Sequence, residues 1–390
     1  MTFWQFSTAS ELRGDWLFPT ETRFGAGRIA ELAGLLDQFG IMRPLIVTDR
    51  GLTATAIPDR IYALASSTST PLLWAGADQN PTGEQVIAGT QAFHDHRADG
   101  VIALGGGSGL DCGKSVALLA GLGGDFWRFA YPRSLEVQAE RSPVPIIAIP
   151  TTAGTGAEIE ASGIITDTSR PAKAGIVNLS MMPRVVIADP ELTLSLPRNL
   201  TAWTGMDALS HNLEALLVRQ FHPMADAIGA VGVRMCHDWL PRAVEDGTDI
   251  IARSYMMAAA IMGATSFVKG LGAMHALSHA IGALNGCQHG LTNAVLMPYV
   301  LQFNRPAIEV PVAALATYMG LDATFDAYFD AVVSLGKQAG VPRRITDIGV
   351  ARQDFQRLAI MALPDFNAGC NPRKLDVPAL VSILEAASQT

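Results

Sequence analysis

The segment from Lys269 to Gly290 holds the residues with the clearest potential for chemistry, including three of the chain's eight histidines. His275 and His279 are four residues apart, so on a helix their imidazoles lie on one face and can point at the same object. His289 follows beyond the pair Asn285-Gly286, which is typical of a turn. The spacing therefore predicts a helix that carries two imidazoles, with a third imidazole just past its end.

A second pair, Asp207 and His211, repeats the four-residue spacing in a stretch that also has a helical pattern. One carboxylate and several imidazoles on two helices indicate a site for a divalent metal. Mixed Asp and His ligands favour Fe(II), Zn(II) or Mn(II) over a structural zinc, which usually has Cys ligands. A histidine on a helix face is often only packed or exposed, and spacing alone leaves that alternative open.

A glycine-rich loop is the next candidate site. Residues 105–109 read Gly-Gly-Gly-Ser-Gly and follow the apolar run at 101–104. Glycines permit a tight turn, and the helix predicted to follow, which contains Asp111 and Lys114, would offer unpaired N–H groups to a phosphate. The loop departs from the ordinary Rossmann fingerprint, because Leu110 stands at the position of the third glycine. A glycine-rich turn that binds no ligand is the alternative.

Two further features point to a nucleotide. Asp49 ends the apolar run at 45–48, where an acid can accept hydrogen bonds from a ribose 2′-OH and would repel a 2′-phosphate. This position favours NAD over NADP, although Asp49 could equally cap the next turn. A second Gly- and Thr-rich loop at 150–158 follows the apolar run at 145–149. Two such loops after parallel strands indicate one long ligand that lies across the sheet.

The elements that must carry these loops alternate between strand and helix. Residues 27–39 place apolar side chains at helical spacing and predict an amphipathic helix that ends at Gly40. Short apolar runs separated by helical stretches follow at 45–48, 72–74, 101–104, 145–149 and 185–188. Such runs indicate a parallel sheet covered on both faces, as in an α/β, Rossmann-like domain.

From about residue 200 onward the sequence has long helical runs and no convincing strand. We therefore predict an α/β nucleotide-binding domain over residues 1–195 and an all-helical metal-binding domain over residues 196–390. A length of 390 residues also favours two domains. A cleft between two such domains is a favoured place for a ligand.

Composition excludes several classes of function. The formal charge of −8 gives no electrostatic reason to expect nucleic acid or an anionic membrane as a partner. The N-terminus lacks the basic start and apolar core of a signal peptide, and the apolar stretch at 256–268 is shorter than a spanning helix needs. Four scattered cysteines suit reduced thiols, so we expect a cytoplasmic protein.

Five motifs, taken together and in order, make the sequence resemble the iron-containing, or group III, alcohol dehydrogenase family. The resemblance covers nearly the whole chain, from Phe24 to Arg373. The motifs are GGGSGLDCGK at 105–114, IPTTAGTGAE at 149–158, DPELTLSLP at 189–197, TGMDALSHNLEAL at 204–216 and GLGAMHALSHAIGA at 270–283.

The resemblance implies a nucleotide-binding domain followed by a helical domain, with NAD and a divalent ion, Fe(II) or Zn(II), as cofactors. Matched position by position, it places the metal ligands at Asp207, His211, His275 and His289. It also implies that His279 relays a proton or contacts the substrate. The cofactor contacts that it implies are Asp49, Gly106, Gly107, Ser108, Asp111, Thr151, Thr152, Lys173 and Leu196.

The expected reaction is a reversible hydride transfer between NAD and a small primary alcohol or its aldehyde. Candidates for lining the substrate pocket are Glu160, Ser162, Phe267 and Lys269. Lys269 could hold an acidic group of the substrate, and a surface or capping lysine is the alternative. Relatives suggest a homodimer or a larger homo-oligomer.

Some positions differ from the common family pattern and leave the substrate open. Ala280 stands where many members have Pro, and Val268 with Lys269 where many have small or amide residues. Glycerol dehydrogenases typically lack the fourth ligand, and dehydroquinate synthase runs a lyase-type reaction on the same fold. All four ligand positions favour the alcohol dehydrogenase branch. A glycerol dehydrogenase-like or dehydroquinate synthase-like enzyme, or a binding protein without turnover, remains the alternative.

Overall fold

The structure, a computed structural model, describes residues 20–136, 144–169 and 172–389. The described chain divides into two compact units. An α/β unit contains residues 20–152 and 156–196, and a helical unit contains residues 153–155 and 197–389. The main division therefore falls between Leu196 and Pro197, one residue after the boundary predicted from the sequence pattern.

Six strands of the α/β unit form a parallel sheet. They are β1 Glu21–Phe24, β2 Pro44–Asp49, β3 Leu72–Ala77, β4 Gly100–Gly105 and β5 Ile146–Pro150, with β8 Val185–Ala188 following a hairpin. The order across the sheet is β1-β8-β5-β4-β2-β3. Strands β4, β5 and β8 are buried along their whole length, which explains their uninterrupted apolar sequences. The predicted parallel sheet is confirmed.

In the described part of this unit, four α-helices accompany the sheet: α1 Leu32–Phe39, α2 Ile57–Ala65, α3 Gly83–Asp95 and α4 Gly107–Leu122. The helix predicted at 27–39 begins as a 3-10 turn over Arg28–Glu31 and ends at Gly40, whose φ of 68° is left-handed. Ile29, Leu36 and Ile102 belong to the apolar core that these elements share.

An antiparallel hairpin, β6 Ser162–Asp167 and β7 Ala172–Val177, was not predicted from the sequence. In β6 the buried and partly exposed residues alternate, as on a strand with one covered face. The hairpin pairs Thr166 with Lys173.

The helical unit consists of eight α-helices among the described residues. They are α5 Arg198–Leu217, α6 Pro223–Glu245, α7 Ile250–Ser266, α8 Ala273–Asn285, α9 His289–Met319, α10 Phe325–Gln338, α11 Phe355–Ala362 and α12 Val377–Ala386. Helix α5 packs against α6, α7 and α9 and is buried on nearly every side. This central helix carries Asp207 and His211, so their surroundings are set by the core of the unit.

One helical segment of the described chain, Ile250–Lys269, is long and apolar enough by length and composition to cross a membrane. Half of its most apolar window is buried against the rest of the chain, and its helix α7 packs on α5 and α6. The segment contains Arg253, which is buried and donates from Nη1 to Thr201 Oγ1 at 2.8 Å. These contacts are those of a core helix.

Candidate metal centre

Four side chains of the helical unit converge on one point. Asp207, His211, His275 and His289 each offer a ligand atom, and these atoms all lie within 4.8 Å of one another. The first three residues are buried, and the side chain of His289 is 23% exposed. The structure thus brings together all four residues that were predicted as metal ligands.

Three helices position these ligands. Asp207 and His211 lie one turn apart on α5, His275 lies in the first turn of α8, and His289 is the first residue of α9. Gly290 allows α9 to start against α5, because a Cβ there would come within 2.3 Å of the carbonyl oxygen of Trp203.

The turn between α8 and α9 follows the predicted signal. Gly286 ends α8 in the left-handed region with a φ of 69°, and its N–H bonds to the carbonyl oxygen of Gly282. Gln288 then caps α9 by accepting from the N–H of Leu291 at 2.6 Å. This turn returns the chain so that His289 lies beside the imidazoles of α8.

Each ligand histidine is oriented through its Nδ1 atom. His275 Nδ1 lies 2.7 Å from the carboxylate of Glu214, and His211 Nδ1 lies 3.2 Å from the carbonyl oxygen of Gly154. His289 Nδ1 lies 2.9 Å from the hydroxyl of Ser278, which also donates to the backbone carbonyl of His289. Because a proton on Nδ1 satisfies each partner, the Nε2 lone pair is left for a ligand.

Glu214 has two roles at this site. Its carboxylate also accepts from the backbone N–H groups of Met274 at 2.8 Å and of His275 at 3.4 Å, which satisfies donors in the first turn of α8. Gly272 leaves room for this carboxylate, since a Cβ there would lie 2.8 Å from Glu214 Oε1. Burial raises the pKa of Glu214 to about 7, against the lowering effect of the backbone hydrogen bonds.

The donor set fits a divalent ion. Burial holds the pKa of His275 well below its usual value, so its imidazole is neutral and able to bind a cation. Three imidazole nitrogens and one carboxylate oxygen suit a borderline ion such as Fe(II) or Zn(II). A bound cation would in turn favour the ionised form of Glu214.

His279 lies at the edge of this group and is more exposed than His275. Its ring centroid is 5.4 Å from that of His289, and its Nδ1 bonds to Asp365 Oδ2 at 2.8 Å. Burial alone would raise the pKa of Asp365, but the charge and hydrogen bond of His279 lower it overall. The arrangement leaves Nε2 of His279 as the nitrogen that can exchange a proton.

Four partners of the site histidines were not foreseen from the sequence: Glu214, Gly154, Ser278 and Asp365. Glu214 carried a detectable signal, because it lies three residues after His211 and so on the same face of a predicted helix. Asp365 carried none, since it is 86 residues from His279.

The two predicted phosphate loops begin side by side in the α/β unit. They follow the adjacent strands β4 and β5, and the N–H of Thr151 donates to the carbonyl oxygen of Gly105 at 2.9 Å. Gly106 precedes α4, and a Cβ there would lie 3.1 Å from the side chain of Thr152. Gly107 and Ser108 form the start of α4, so their N–H groups belong to the first turn of a helix, where anions are favoured.

Asp49 lies beside the glycine loop at Gly105. Its Oδ1 accepts from the N–H of Leu52 at 3.0 Å, which is the capping role left open by the sequence. Its Oδ2 faces the glycine loop, where a Cβ on Gly105 would lie 3.0 Å from it. Burial raises the pKa of Asp49, against the lowering effect of backbone hydrogen bonds at Leu52 and Gly51. One carboxylate oxygen therefore bonds to the turn, and the other lies beside the glycine loop.

The remaining predicted cofactor residues are spread over the α/β unit. Asp111 of α4 accepts from the N–H of Ile164 at 3.0 Å, and burial raises its pKa against the opposing charges of Lys114 and Lys173. Lys173 lies on β7. Leu196 lies partly exposed at the end of the unit, where its N–H bonds to the carbonyl oxygen of Thr193.

The four residues predicted to line the substrate pocket are placed in different settings. The hydroxyl of Ser162, the first residue of β6, donates to Glu160 Oε2 at 2.7 Å. The ring of Phe267 lies 5.1 Å from that of His211, beside the ligands. Lys269 is buried and its ammonium is paired with the carboxylate of Asp226. The ammonium of Lys269 is therefore already neutralised within the helical unit.

Comparison with known proteins gives two adjoining family matches. Residues 19–190 match the family described as iron-containing alcohol dehydrogenase. Residues 201–388 match the family described as Fe-containing alcohol dehydrogenase family, C-terminal.

Characterised relatives match over nearly their whole length. The chain is 33% identical to the NAD-dependent methanol dehydrogenase of Bacillus methanolicus over 96% of this chain and 99% of that protein. It is 35% identical to the 4-hydroxybutyrate dehydrogenase of Cupriavidus necator over 94% of this chain and 97% of that protein. A crystal structure of 1,3-propanediol oxidoreductase superposes with a TM-score of 0.90 at 33% identity, covering 96% and 100% of the two chains.

Proposed function

The chain belongs to the iron-containing alcohol dehydrogenase family, and on this premise we propose that it interconverts a small primary alcohol and its aldehyde by reversible hydride transfer with NAD. The family acts on CH–OH groups as an oxidoreductase. The single observation that supports this function best is the group of four ligands with its oriented imidazoles. Apolar side chains already form the core of these helices, so packing alone would not require four metal-binding side chains at one point.

The metal ion, Fe(II) or alternatively Zn(II), would be held by Asp207, His211, His275 and His289. A bound ion supplies Lewis acidity toward the oxygen of the alcohol or aldehyde. The chain's own contribution is to direct the three imidazoles through Nδ1 hydrogen bonds, so that their Nε2 atoms need no reorganisation when an ion binds.

His279 is the residue that we propose to carry the proton. Oxidation of an alcohol releases a proton from the hydroxyl, and an imidazole is the side chain suited to accept it near neutral pH. Asp365 holds Nδ1 of His279 at 2.8 Å and so fixes which nitrogen takes part. His279 lies beside the ligand His289 but makes no part of the four-residue donor group.

For the cofactor, we propose NAD rather than NADP. The start of α4 at Gly107 and Ser108, beside the loop at Thr151, would provide N–H groups for a pyrophosphate. The carboxylate of Asp49 beside the glycine loop would accept bonds from a ribose hydroxyl and oppose a 2′-phosphate.

The substrate class rests on the relatives, which act on methanol, 1,3-propanediol and 4-hydroxybutyrate by their names. These are small alcohols, one of them with an acidic group, and we propose a substrate of this size. The ion pair between Lys269 and Asp226 gives no support to Lys269 as the partner of an acidic group. We further propose a cytoplasmic homodimer or larger homo-oligomer without a nucleic-acid or membrane partner.

The test is NADH consumption by protein purified without oxygen and reloaded with Fe(II) or Zn(II), against a panel of neutral and acidic small aldehydes. We expect metal-dependent oxidation of NADH by the native chain. Asp207→Ala should lose bound metal and turnover while its circular dichroism stays native, because it removes one of four ligands. Absence of NADH oxidation over the whole panel would overturn the proposal in favour of a lyase or a binding protein.

A further inference from the structure

Asn293 is a buried amide that contacts three of the four ligands at once. It lies on α9, one turn after His289, and is fully buried. Its Nδ2 atom is 2.9 Å from Asp207 Oδ1, 3.1 Å from His275 Nε2 and 3.2 Å from His289 Nε2. Nε2 is the nitrogen of each imidazole that remains for an ion, and Oδ1 is one of the two oxygens that Asp207 can offer to it.

The chemistry of these neighbours determines which end of the amide faces them. The carboxylate of Asp207 can only accept, and the Nε2 atoms of His275 and His289 are acceptors because Nδ1 bonds to Glu214 and Ser278. An amide oxygen in this place would meet only lone pairs, so the NH2 group must point inward. An amide nitrogen carries two hydrogens, and Asp207 as the charged acceptor takes the shortest bond.

This orientation leaves the oxygen of the amide without a hydrogen bond within the described part of the chain. Asn293 Oδ1 is buried and has no hydrogen-bond partner among the described residues. A buried polar atom without a partner is unfavourable and calls for an explanation in the function of the site. The chain keeps an amide here although an apolar residue would avoid that loss.

A buried asparagine on the same helix provides the contrast. Asn304 donates from Nδ2 to Asn371 Oδ1 at 3.0 Å and accepts from Asn371 Nδ2 at 2.9 Å. Both ends of that amide are satisfied, as expected for a structural residue. Asn293 differs because all its hydrogen bonds are directed at metal ligands and none at the fold.

We propose that Asn293 is a positioning residue that sets the metal affinity of the site through its hydrogen bond to Asp207. The bond restrains the carboxylate of α5 from the side of α9 and leaves its other lone pairs for the ion. The same bond restricts rotation of the Asp207 side chain and so keeps its carboxylate near His275 and His289. The inference rests on the metal site of the proposed function and assigns it a residue outside the ligand set.

The test is a titration of the metal-free enzyme with cobalt(II), read by the visible absorption of the ion and by competition with a chelator. Asn293→Leu removes the donor and keeps the branching of the side chain, and Gln302→Leu, which removes an exposed amide, is the control on the same helix. Loss of a residue that orients a ligand typically weakens metal binding about 10- to 100-fold, and we expect this for Asn293→Leu with an altered cobalt spectrum. Gln302→Leu should keep the native cobalt affinity and spectrum.

A second variant protects the test against misfolding. Asn293→Ser keeps the position polar and creates no steric conflict, and its shorter side chain withdraws the donor from Asp207. We expect weaker cobalt binding here too, with native circular dichroism. Native affinity and spectrum in both Asn293 variants would overturn the inference while leaving the proposed function intact. If the native chain bound none of the three ions, cobalt(II), iron(II) or zinc(II), the proposed function itself would fail.

Discussion

The carboxylate of Glu214 accepts a hydrogen bond from Nδ1 of His275 at 2.7 Å, although 61 residues separate the two in the chain. Glu214 lies on α5, three residues after the ligand His211. Helix α5 therefore supplies two of the proposed ligands and also orients a third, which belongs to α8. Such carboxylate and imidazole pairs fix the tautomer and increase the basicity of the ligand.

Replacing Glu214 should weaken metal binding without removing a ligand. Glu214→Gln keeps the size of the side chain but removes the charge that His275 faces, and its NH2 group would compete with the N–H of Met274. We expect a loss of about 10- to 100-fold in zinc affinity, measured by competition with a chelator. The exposed Glu309→Gln serves as control. Equal zinc affinities for the two variants would show that the carboxylate charge is unimportant.

Replacing His279 should separate proton transfer from metal binding. His279→Ala removes the imidazole held by Asp365, and we expect kcat to fall about 10²- to 10⁴-fold. Bound metal, measured by elemental analysis, should stay at the native level, because His279 is outside the four-residue donor group. The exposed His94→Ala should leave both quantities unchanged. Loss of metal from His279→Ala would instead make His279 a ligand.

Replacing Asp49 should relax the choice of cofactor. Asp49→Ser keeps an oxygen that can accept from the N–H of Leu52 and removes the negative charge beside the glycine loop. Relief of one charge–charge repulsion near a protein surface is worth about 1–3 kcal/mol, so the ratio of kcat/KM for NADP over NAD should rise roughly 10- to 100-fold. Asp78→Ser, at an exposed ion pair with Arg50, is the control. An unchanged ratio would place the ribose elsewhere.

The carboxyl of Glu160 predicts a pH-dependent stability. Burial raises its pKa to about 8 in the folded chain, against the opposing effects of Lys114 and Ser162. The unfolded chain ionises this group near the ordinary value, so between the two pKa values unfolding releases a proton and the free energy of unfolding falls as pH rises.

Glu160→Gln cannot release that proton, so it should flatten this dependence. We expect the native chain to lose roughly 2 kcal/mol more than the variant between about pH 5 and pH 8, after allowance for the partial exposure of the residue. Urea denaturation at the two pH values measures the difference. The exposed Glu385→Gln should retain the native slope, and an identical slope for Glu160→Gln would contradict the raised pKa.

The pair of Lys269 and Asp226 should contribute to stability rather than to substrate choice. Burial lowers the pKa of Lys269 and raises that of Asp226, while each charge opposes the shift of the other. Lys269→Met leaves a buried carboxylate alone and should cost about 3–5 kcal/mol, which the double variant with Asp226→Leu should largely restore. Urea denaturation gives the free energies. If Lys269→Met instead lost activity only on acidic aldehydes and kept its stability, Lys269 would be a substrate-binding residue.

Periodicity was sufficient to predict the parallel sheet and the all-helical second half, because buried strands and long apolar helices leave distinct patterns. It missed the hairpin of β6 and β7, whose strands have six residues each and whose alternation is short. The four-residue spacing of Asp207 with His211 also predicted which side chains share a helix face.

Spacing along the chain could not predict contacts that only the packed fold creates. The carbonyl of Gly154 orients His211 across 57 residues, and the ion pair that occupies Lys269 spans 43. Backbone acceptors have no sequence signature, and a lysine near predicted ligands looks the same whether it faces a substrate or a buried carboxylate. For His211 and Lys269, the sequence therefore indicated the chemistry of the side chain but not the group that it contacts.

The double role of Glu214 has a consequence for how the protein acquires its ion. The same carboxylate that orients His275 satisfies N–H groups at the start of α8, and Asn371 satisfies the N–H of Ala273 at 3.1 Å. These bonds belong to the packing of α8 itself, so we expect His275 to be oriented before any metal binds. Metal loading would then be separate from folding, and the supply of ions in the surroundings would determine which ion the folded chain binds.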